Sequence, residues 1–192
     1  MSFCLGQLSQ QKKIEILKAV QEFKLDNEIF IQGGTMLGCV REQGLIDNDD
    51  DIDIAYISKY HTSEEIKKEM LDIYKDLIDK KMMCKYFDLD YNDVFDFTNL
   101  VEGRGQAHIM VGGLCIDLWT VWEDEEGYIN FCDIEKICKA EDFLPLKTGK
   151  IYDLEFKTPK NAEQLLEKIY GADWRIPQHA KPKLGRKTVL QR

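Results

Sequence analysis

Acidic and apolar residues alternate at the start of the segment from Asp51 to Ile57, which reads Asp-Ile-Asp-Ile-Ala-Tyr-Ile. Side chains two positions apart in a β-strand project from the same face. We therefore predict a strand over this segment, with Ile52 and Ile54 on its core face. Asp51 and Asp53 then lie side by side on the opposite face. Such a strand belongs in a sheet that is covered by a core on one side and carries a pair of carboxylates on the other.

Two carboxylates this close repel each other, and the repulsion raises a pKa unless a cation lies between them. Hard oxygen ligands suit Mg²⁺, which usually completes its shell with water and substrate phosphates. The pair Asp51 and Asp53 therefore predicts a site for Mg²⁺ or Mn²⁺. A calcium-binding loop that starts at Asp47 is excluded, because Ile52 and Ser58 stand where that loop needs glycine and glutamate.

A glycine pair precedes the acidic segment. Residues 28–32 have the pattern of a short strand that ends at Gly33 and Gly34, and residues 35–42 that of a short helix. Glycine has no Cβ, so backbone N–H groups at the start of such a helix can approach a phosphate closely. Alone, the glycines indicate only a turn and the acids only a solvated cluster. Their order and short spacing favour one site, in which a phosphate cradle faces a metal clamp.

Two further residues of this segment are candidates for substrate binding. Thr35 either caps the short helix or donates its hydroxyl to the same phosphate. Arg41 either neutralises phosphate charge, as guanidinium groups often do, or lies on the solvent face of its helix.

The remainder of the sequence mixes helical and strand patterns. Ser9 is placed to cap an amphipathic helix over residues 9–24, and a second helical stripe begins at Ile66. Asn161 and Gln164 resemble a capping box at the start of a last helix, which Gly171 would end. Helices mixed with consecutive strands predict an α+β (mixed α/β) fold. The strand-like segments after the second helix are residues 82–88, 94–101, 106–111 and 113–121.

Composition and charge limit the kinds of partner that we expect this protein to bind and the cellular compartment in which we expect it. The chain has 192 residues and a net charge of −9, which argues against nucleic-acid binding because phosphate backbones are held by clustered lysine and arginine. No apolar run is long enough to span a membrane, and the N-terminus has no signal-peptide pattern. The six cysteines show no C-x-x-C pair, which is typical of the reducing cytoplasm. We therefore predict a cytoplasmic protein.

The basic residues are concentrated at the C-terminus. We predict one catalytic domain over residues 1–178 and a basic tail over residues 179–192. One interpretation of the tail is a solvated segment that keeps an acidic protein soluble. The other is an arm that gathers a polyanionic substrate or makes peripheral contact with a membrane surface. No acidic residue occurs from Arg175 onward, where the basic residues are Arg175, Lys181, Lys183, Arg186, Lys187 and Arg192.

The sequence resembles the LicD/fukutin family of phosphotransferases. Their pattern G-T-L-L-G-x-x-R, a glycine and then D-D-D-I-D is similar to Gly34–Arg41, Gly44 and Asp49–Asp53. The family's proline and tryptophan before the acids are replaced by Asp47 and Asn48. Residues 170–177 resemble the family's Y-G-x-x-W-x-x-P ending, and residues 113–119 more weakly resemble a later strand that contains an acid. The resemblance extends over residues 28 to 178.

This resemblance implies a nucleotidyltransferase-like fold with a central mixed β-sheet flanked by helices. It implies transfer of a substituted phosphate, such as phosphocholine or an alditol phosphate, from a CDP-linked donor to a hydroxyl of a surface glycan or its precursor. Asp51 and Asp53 become metal ligands and catalytic residues. Asp117 becomes the third carboxylate, which completes the metal site or takes the proton of the attacking hydroxyl. Read without the family, Asp117 is also compatible with an acid on an edge strand or facing a turn.

Two other functions remain open. The same residues serve a nucleotidyltransferase that moves an NMP from an NTP to a small molecule or protein. A non-catalytic module that holds a nucleotide is the alternative from another class.

Overall fold

The alternating segment forms the strand β2, as predicted, in a computed structural model that describes residues 4–79, 106–111, 114–131 and 134–177. A short 3-10 turn, Leu5–Gln7, precedes the first helix. The helices are α1 (Gln10–Glu22), α2 (Gly33–Arg41), α3 (Ser63–Asp79), α4 (Ala140–Phe143) and α5 (Ala162–Tyr170). The strands are β1 (Ile29–Ile31), β2 (Asp51–Ile57), β3 (Gln106–Val111), β4 (Leu114–Glu123), β5 (Tyr128–Phe131), β6 (Ile134–Lys139), β7 (Lys147–Ile151) and β8 (Leu154–Thr158).

Six of the described strands form one mixed sheet, and β7 and β8 form a separate hairpin. The main sheet has the order β1-β2-β4-β5-β6, and β3 pairs with β4 as well. β2 and β4 are parallel, with Asp53 opposite Asp117, whereas the other pairs are antiparallel. The helices and the mixed sheet confirm the predicted α+β fold.

The core lies on the face of β2 that the alternation predicts. Ile52 and Ile54 are buried, and so are their partners on β4, Ile116 and Leu118. Further along β2, Ala55 on the opposite face is fully buried as well. The strand is therefore covered on both sides at Ala55 and leaves its acidic face partly open at its start.

Helix α2 connects the edge strand β1 to the loop before β2. The prediction placed its start at Thr35, but helical hydrogen bonding begins earlier, because the N–H of Met36 donates to the carbonyl of Gln32 (2.8 Å). Gly33 follows Gln32 with a φ of +53°, a conformation that favours glycine. The glycine pair is thus the first turn of the helix.

The predicted helix ends are partly confirmed. Ser9 caps α1 by accepting a hydrogen bond from the N–H of Lys12 (3.3 Å), and Gly171 ends α5 with a φ of +91°. Asn161 is the N-cap residue of α5, as predicted, but the predicted capping box is wrong. Its side chain donates to Asp142 (3.4 Å) and makes no cap bond.

Several sequence predictions concern segments that the structure does not describe. The strands predicted over residues 82–88 and 94–101 lie outside the described residues, as does the basic tail over residues 179–192. β3 and β4 confirm the strands predicted over residues 106–111 and 113–121. None of the described helices has the length and apolarity that crossing a membrane requires.

Candidate metal and phosphate site

Three carboxylates converge where β2 begins. Asp49, Asp51 and Asp53 each offer one oxygen atom, and these three atoms lie within 4.8 Å of one another. Asp51 and Asp53 share a face of β2, and Asp49 continues the same two-residue spacing into the preceding loop. The pair was predicted from the sequence, whereas Asp49 was missed, although the spacing of the three acids was the signal. The arrangement offers hard oxygen donors to a divalent cation.

Burial and mutual repulsion raise the pKa values of the two β2 carboxylates. The pKa of Asp51 rises to about 8, first because it is buried and then because of the charges of Asp53 and Asp49. The pKa of Asp53 rises to about 7 through burial and the charges of Asp49 and Asp117. A divalent cation among these oxygens would relieve the repulsion and would keep the carboxylates ionised at neutral pH. The donor set therefore fits Mg²⁺ or Mn²⁺.

The carboxylate of Asp53 is held by two donors. The indole Nε1–H of Trp119 donates to Oδ1 (3.2 Å), and the backbone N–H of Gly34 donates to Oδ2 (2.8 Å). These hydrogen bonds favour the ionised carboxylate and fix its orientation. Trp119 was not predicted to belong to the site. Its place beside Asp53 depends on the parallel pairing of β2 and β4.

The glycine pair allows α2 to approach the acids. A Cβ atom at Gly33 would lie 2.3 Å from Oδ2 of Asp53, and one at Gly34 would lie 2.1 Å from Oδ2 of Asp49. Neither distance is compatible with a side chain unless the acids move. The N–H of Gly34 already donates a hydrogen bond to the carboxylate of Asp53. The first role of the pair is therefore to bring the helix start against the carboxylates, and its contact with a phosphate stays a prediction.

Asp117 lies on β4 directly opposite Asp53 and is buried, with 7% of its surface exposed. Its charge raises the pKa of both Asp51 and Asp53, so it belongs to the same electrostatic environment. Its carboxylate is not one of the three oxygens that cluster within 4.8 Å. Because β4 is bordered by β2 and β3, the alternative of an edge-strand acid does not apply. The role of Asp117 as ligand or base stays a prediction.

Thr35 is buried beside Asp53. Its hydroxyl oxygen accepts a hydrogen bond from the backbone N–H of Asp53 (2.8 Å), and no side chain caps α2. This contact joins the first turn of α2 to β2. The position differs from the predicted capping role, and donation of the Thr35 hydroxyl to a phosphate stays a prediction.

Arg41 lies at the other end of α2, roughly 12 Å along the helix from Gly33 at 1.5 Å per residue. Its guanidinium donates to the carboxylate of Glu42 (2.6 Å) and to the backbone carbonyl of Trp174 (3.2 Å). The structure therefore does not bring Arg41 to the three acids. It connects the first sequence motif to the segment after α5.

Comparison with known protein families gives a match that includes the candidate site. The family described as LicD/FKTN/FKRP, nucleotidyltransferase domain, matches residues 26–161 of this chain. This range includes the glycine pair, the three clustered acids, Asp117 and Trp119. No curated protein matches the chain in a sequence search. The match covers well over half of the 192 residues and contains the whole candidate site. The chain belongs to the LicD/FKTN/FKRP nucleotidyltransferase-domain family.

Proposed function

We propose that this protein is a metal-dependent phosphotransferase. It transfers a substituted phosphate, of the phosphocholine or alditol-phosphate kind, from a CDP-linked donor to a hydroxyl of a surface glycan or its precursor. The observation that carries the proposal is the cluster of Asp49, Asp51 and Asp53 against the glycine start of α2, in a chain of the LicD family. Membership of that family supports a transferase. The donor, the acceptor and the cation are the proposed part.

Each residue of the site has a proposed task. The three acids hold Mg²⁺ or Mn²⁺, which neutralises phosphate charge when bound. Trp119 and Gly34 keep the Asp53 carboxylate in one orientation, so little reorganisation is needed when substrate arrives.

The reaction follows from phosphoryl-transfer chemistry. The oxygen of the acceptor hydroxyl forms a bond to the distal phosphorus of the donor, and the bond from that phosphorus to the pyrophosphate bridge breaks, so that CMP leaves. The hydroxyl proton goes to a base, for which Asp117 is the candidate because it lies beside Asp53. Positioning and charge neutralisation supply most of the rate, since this chemistry asks little else of a protein.

The leaving group tests the proposal. We expect the full chain to release CMP from one or more members of a panel of CDP-alcohols when a glycan acceptor and Mg²⁺ or Mn²⁺ are present. We expect no pyrophosphate release from the four NTPs. The matched control is Asp51→Asn, which removes a proposed metal ligand and should abolish CMP release. Pyrophosphate release with a nucleotidylated product would replace the proposal by the NMP-transfer alternative. Nucleotide binding without any turnover would favour the non-catalytic module.

A cytoplasmic location, and contact of the tail over residues 179–192 with an anionic surface, belong to the same proposal. A glycan precursor carried on a lipid would place the acceptor at a membrane, where a basic arm gains from the surface potential. Sedimentation of the full chain with anionic and with neutral vesicles tests the contact. Equal sedimentation with both kinds of vesicle would leave the tail as a solubilising segment.

A further inference from the structure

The loop that carries Asp49 is tied to the N-terminal segment of the chain, which lies before the matched family region that begins at residue 26. The backbone N–H of Leu5 donates to the carbonyl of Asp49 (2.7 Å), and the N–H of Gly6 donates to the carbonyl of Asp47 (2.7 Å). The Leu5 side chain is almost fully buried in the core. The two hydrogen bonds therefore join the acidic loop to a fixed part of the protein.

A buried lysine makes the third connection. The Nζ of Lys13 on α1 lies 2.6 Å from Oδ1 of Asp47. The Lys13 side chain is only 9% exposed, whereas that of Asp47 is 73% exposed. A buried ammonium group is costly unless it is paired, so Lys13 holds a partner strongly. Because Lys13 is the enclosed partner, it acts as the anchor and the loop is the part that is held.

The acidic loop needs such an anchor. One carboxylate oxygen of Asp49 lies within 4.8 Å of an oxygen of Asp51 and of Asp53, so the negative charges repel one another. The same repulsion pushes Asp49 outward whenever no cation is bound, and a free loop would follow it. Metal binding would then have to draw the loop back, and this would lower the apparent affinity of the site for the metal.

We propose that residues 5–13 form an N-terminal clamp that holds Asp49 in position for the metal, with Lys13 as its positioning residue. The inference rests on the metal site of the proposed function, and it adds a segment that the family match does not cover. The clamp acts through the backbone carbonyls of Asp47 and Asp49 and through the ion pair, and it does not touch the metal.

The direction in which one substitution changes the Kd for Mn²⁺ separates a positioning role of Lys13 from a purely electrostatic role. Lys13→Met removes a positive charge near a cation site, so through-space electrostatics alone predicts tighter metal binding. Loss of positioning predicts the opposite, because the loop is released. We expect the Kd for Mn²⁺ to rise by roughly 3- to 30-fold in Lys13→Met, which matches the loss of one or two ordinary interactions.

The experiment measures Mn²⁺ binding to the full-length, metal-free protein by electron paramagnetic resonance of free Mn²⁺, without substrate. Lys13→Arg should restore most of the affinity. Lys18→Met is the matched control, since it removes the same charge from an exposed position on the same helix. Should Lys13→Met not fold, Gly6→Ala replaces it, because the added Cβ would lie 3.0 Å from Asp47 and push the loop.

The outcomes are distinct. Weaker Mn²⁺ binding in Lys13→Met or Gly6→Ala, with Lys18→Met like the wild type, supports the clamp. Unchanged or tighter binding in the folded Lys13→Met or Gly6→Ala variant overturns the clamp while leaving the metal site intact. Failure of the wild type to bind Mn²⁺, or unchanged binding in Asp51→Asn, overturns the metal-dependent function itself and the clamp with it.

Discussion

At the scale of single residues, the four acids of the site divide by geometry. Asp49, Asp51 and Asp53 each place one oxygen within 4.8 Å of the others, whereas Asp117 lies on the neighbouring strand, buried and in register with Asp53. We therefore predict that Asp117 acts as the base and not as a metal ligand. This division leads to a test in which metal binding and turnover are measured separately.

Asp117→Asn should lower kcat by at least about 10²-fold, which is a typical contribution of general-base catalysis. The Kd for Mn²⁺ should change by less than about tenfold, because only the charge of a neighbouring group is lost. The measurements are steady-state kinetics and Mn²⁺ binding on the purified variant. Asp50→Asn is the control, since Asp50 is an exposed acid of the same run. A kcat within about threefold of the wild type would show that Asp117 is not the base, and a much weaker Kd would make it a ligand.

At the scale of elements, the site depends on the contact between α2 and β2. The helix begins where β1 ends, and its first turn meets the start of β2 through Gly34 and Thr35. Glycine is required in the first turn of α2 because an added Cβ atom would collide with the acidic side chains. The obstacle at Gly34 is the end of the Asp49 side chain, whereas a Cβ at Gly38 would lie 2.4 Å from the backbone carbonyl of Gly44. A side chain can rotate away and a backbone carbonyl cannot, so the two glycines should respond differently to substitution.

Gly34→Ala should displace the Asp49 carboxylate and weaken Mn²⁺ binding by at least about tenfold, with little loss of thermal stability. Gly38→Ala should do the reverse and lower the free energy of unfolding by about 1–3 kcal/mol, because it overpacks a rigid contact. Chemical denaturation and Mn²⁺ binding on both variants check the contrast. If Gly34→Ala binds Mn²⁺ as the wild type does, the close approach of Gly34 to the Asp49 side chain has no part in shaping the site.

The same elements show what the sequence could and could not predict. β2 and α2 were predictable because the alternation of Asp and Ile and the glycine pair are local signals. β5 to β8 were not assigned, since a strand such as Lys147–Ile151 has a single strongly apolar residue and owes its structure to its partner. The position of Trp119 and the separate place of Asp117 follow from strand pairing, which no local pattern encodes. Asp49 was within reach of the sequence, because it continues the spacing of Asp51 and Asp53.

At the scale of the whole molecule, the region matched to the family is held from both sides. The segment before it ties the acidic loop through Leu5, Gly6 and Lys13. The segment after it meets the end of α2 through the carbonyl of Trp174 and Arg41. The folded protein therefore keeps like charges close together, and their repulsion lowers the free energy of unfolding when no cation is present. The pH dependence of stability should reveal this destabilisation.

Without a divalent cation, the free energy of unfolding should fall as the pH rises from about 4 to about 8. The folded protein holds Asp51 and Asp53 at pKa values of about 8 and about 7, against an ordinary value of 3.8, which we take for the unfolded chain. Between these values the folded state binds more protons than the unfolded state, so raising the pH disfavours folding. A bound cation replaces the protons. Mg²⁺ should therefore raise the Tm little at about pH 5 and clearly at about pH 8.

Asp51→Asn provides the matched comparison for this effect. Removal of one repelling charge should raise the metal-free stability at about pH 8 by about 1–3 kcal/mol, flatten the pH dependence and abolish the shift with Mg²⁺. Thermal unfolding with EDTA or with Mg²⁺, across the pH series, measures all three effects. A wild-type protein whose Tm does not respond to Mg²⁺ at either pH, or an Asp51→Asn variant that is less stable than the wild type in EDTA, would contradict the link between the acidic cluster and a cation. A stabilised variant that has lost both the Mg²⁺ response and turnover would show that the repulsion is retained because the metal needs it.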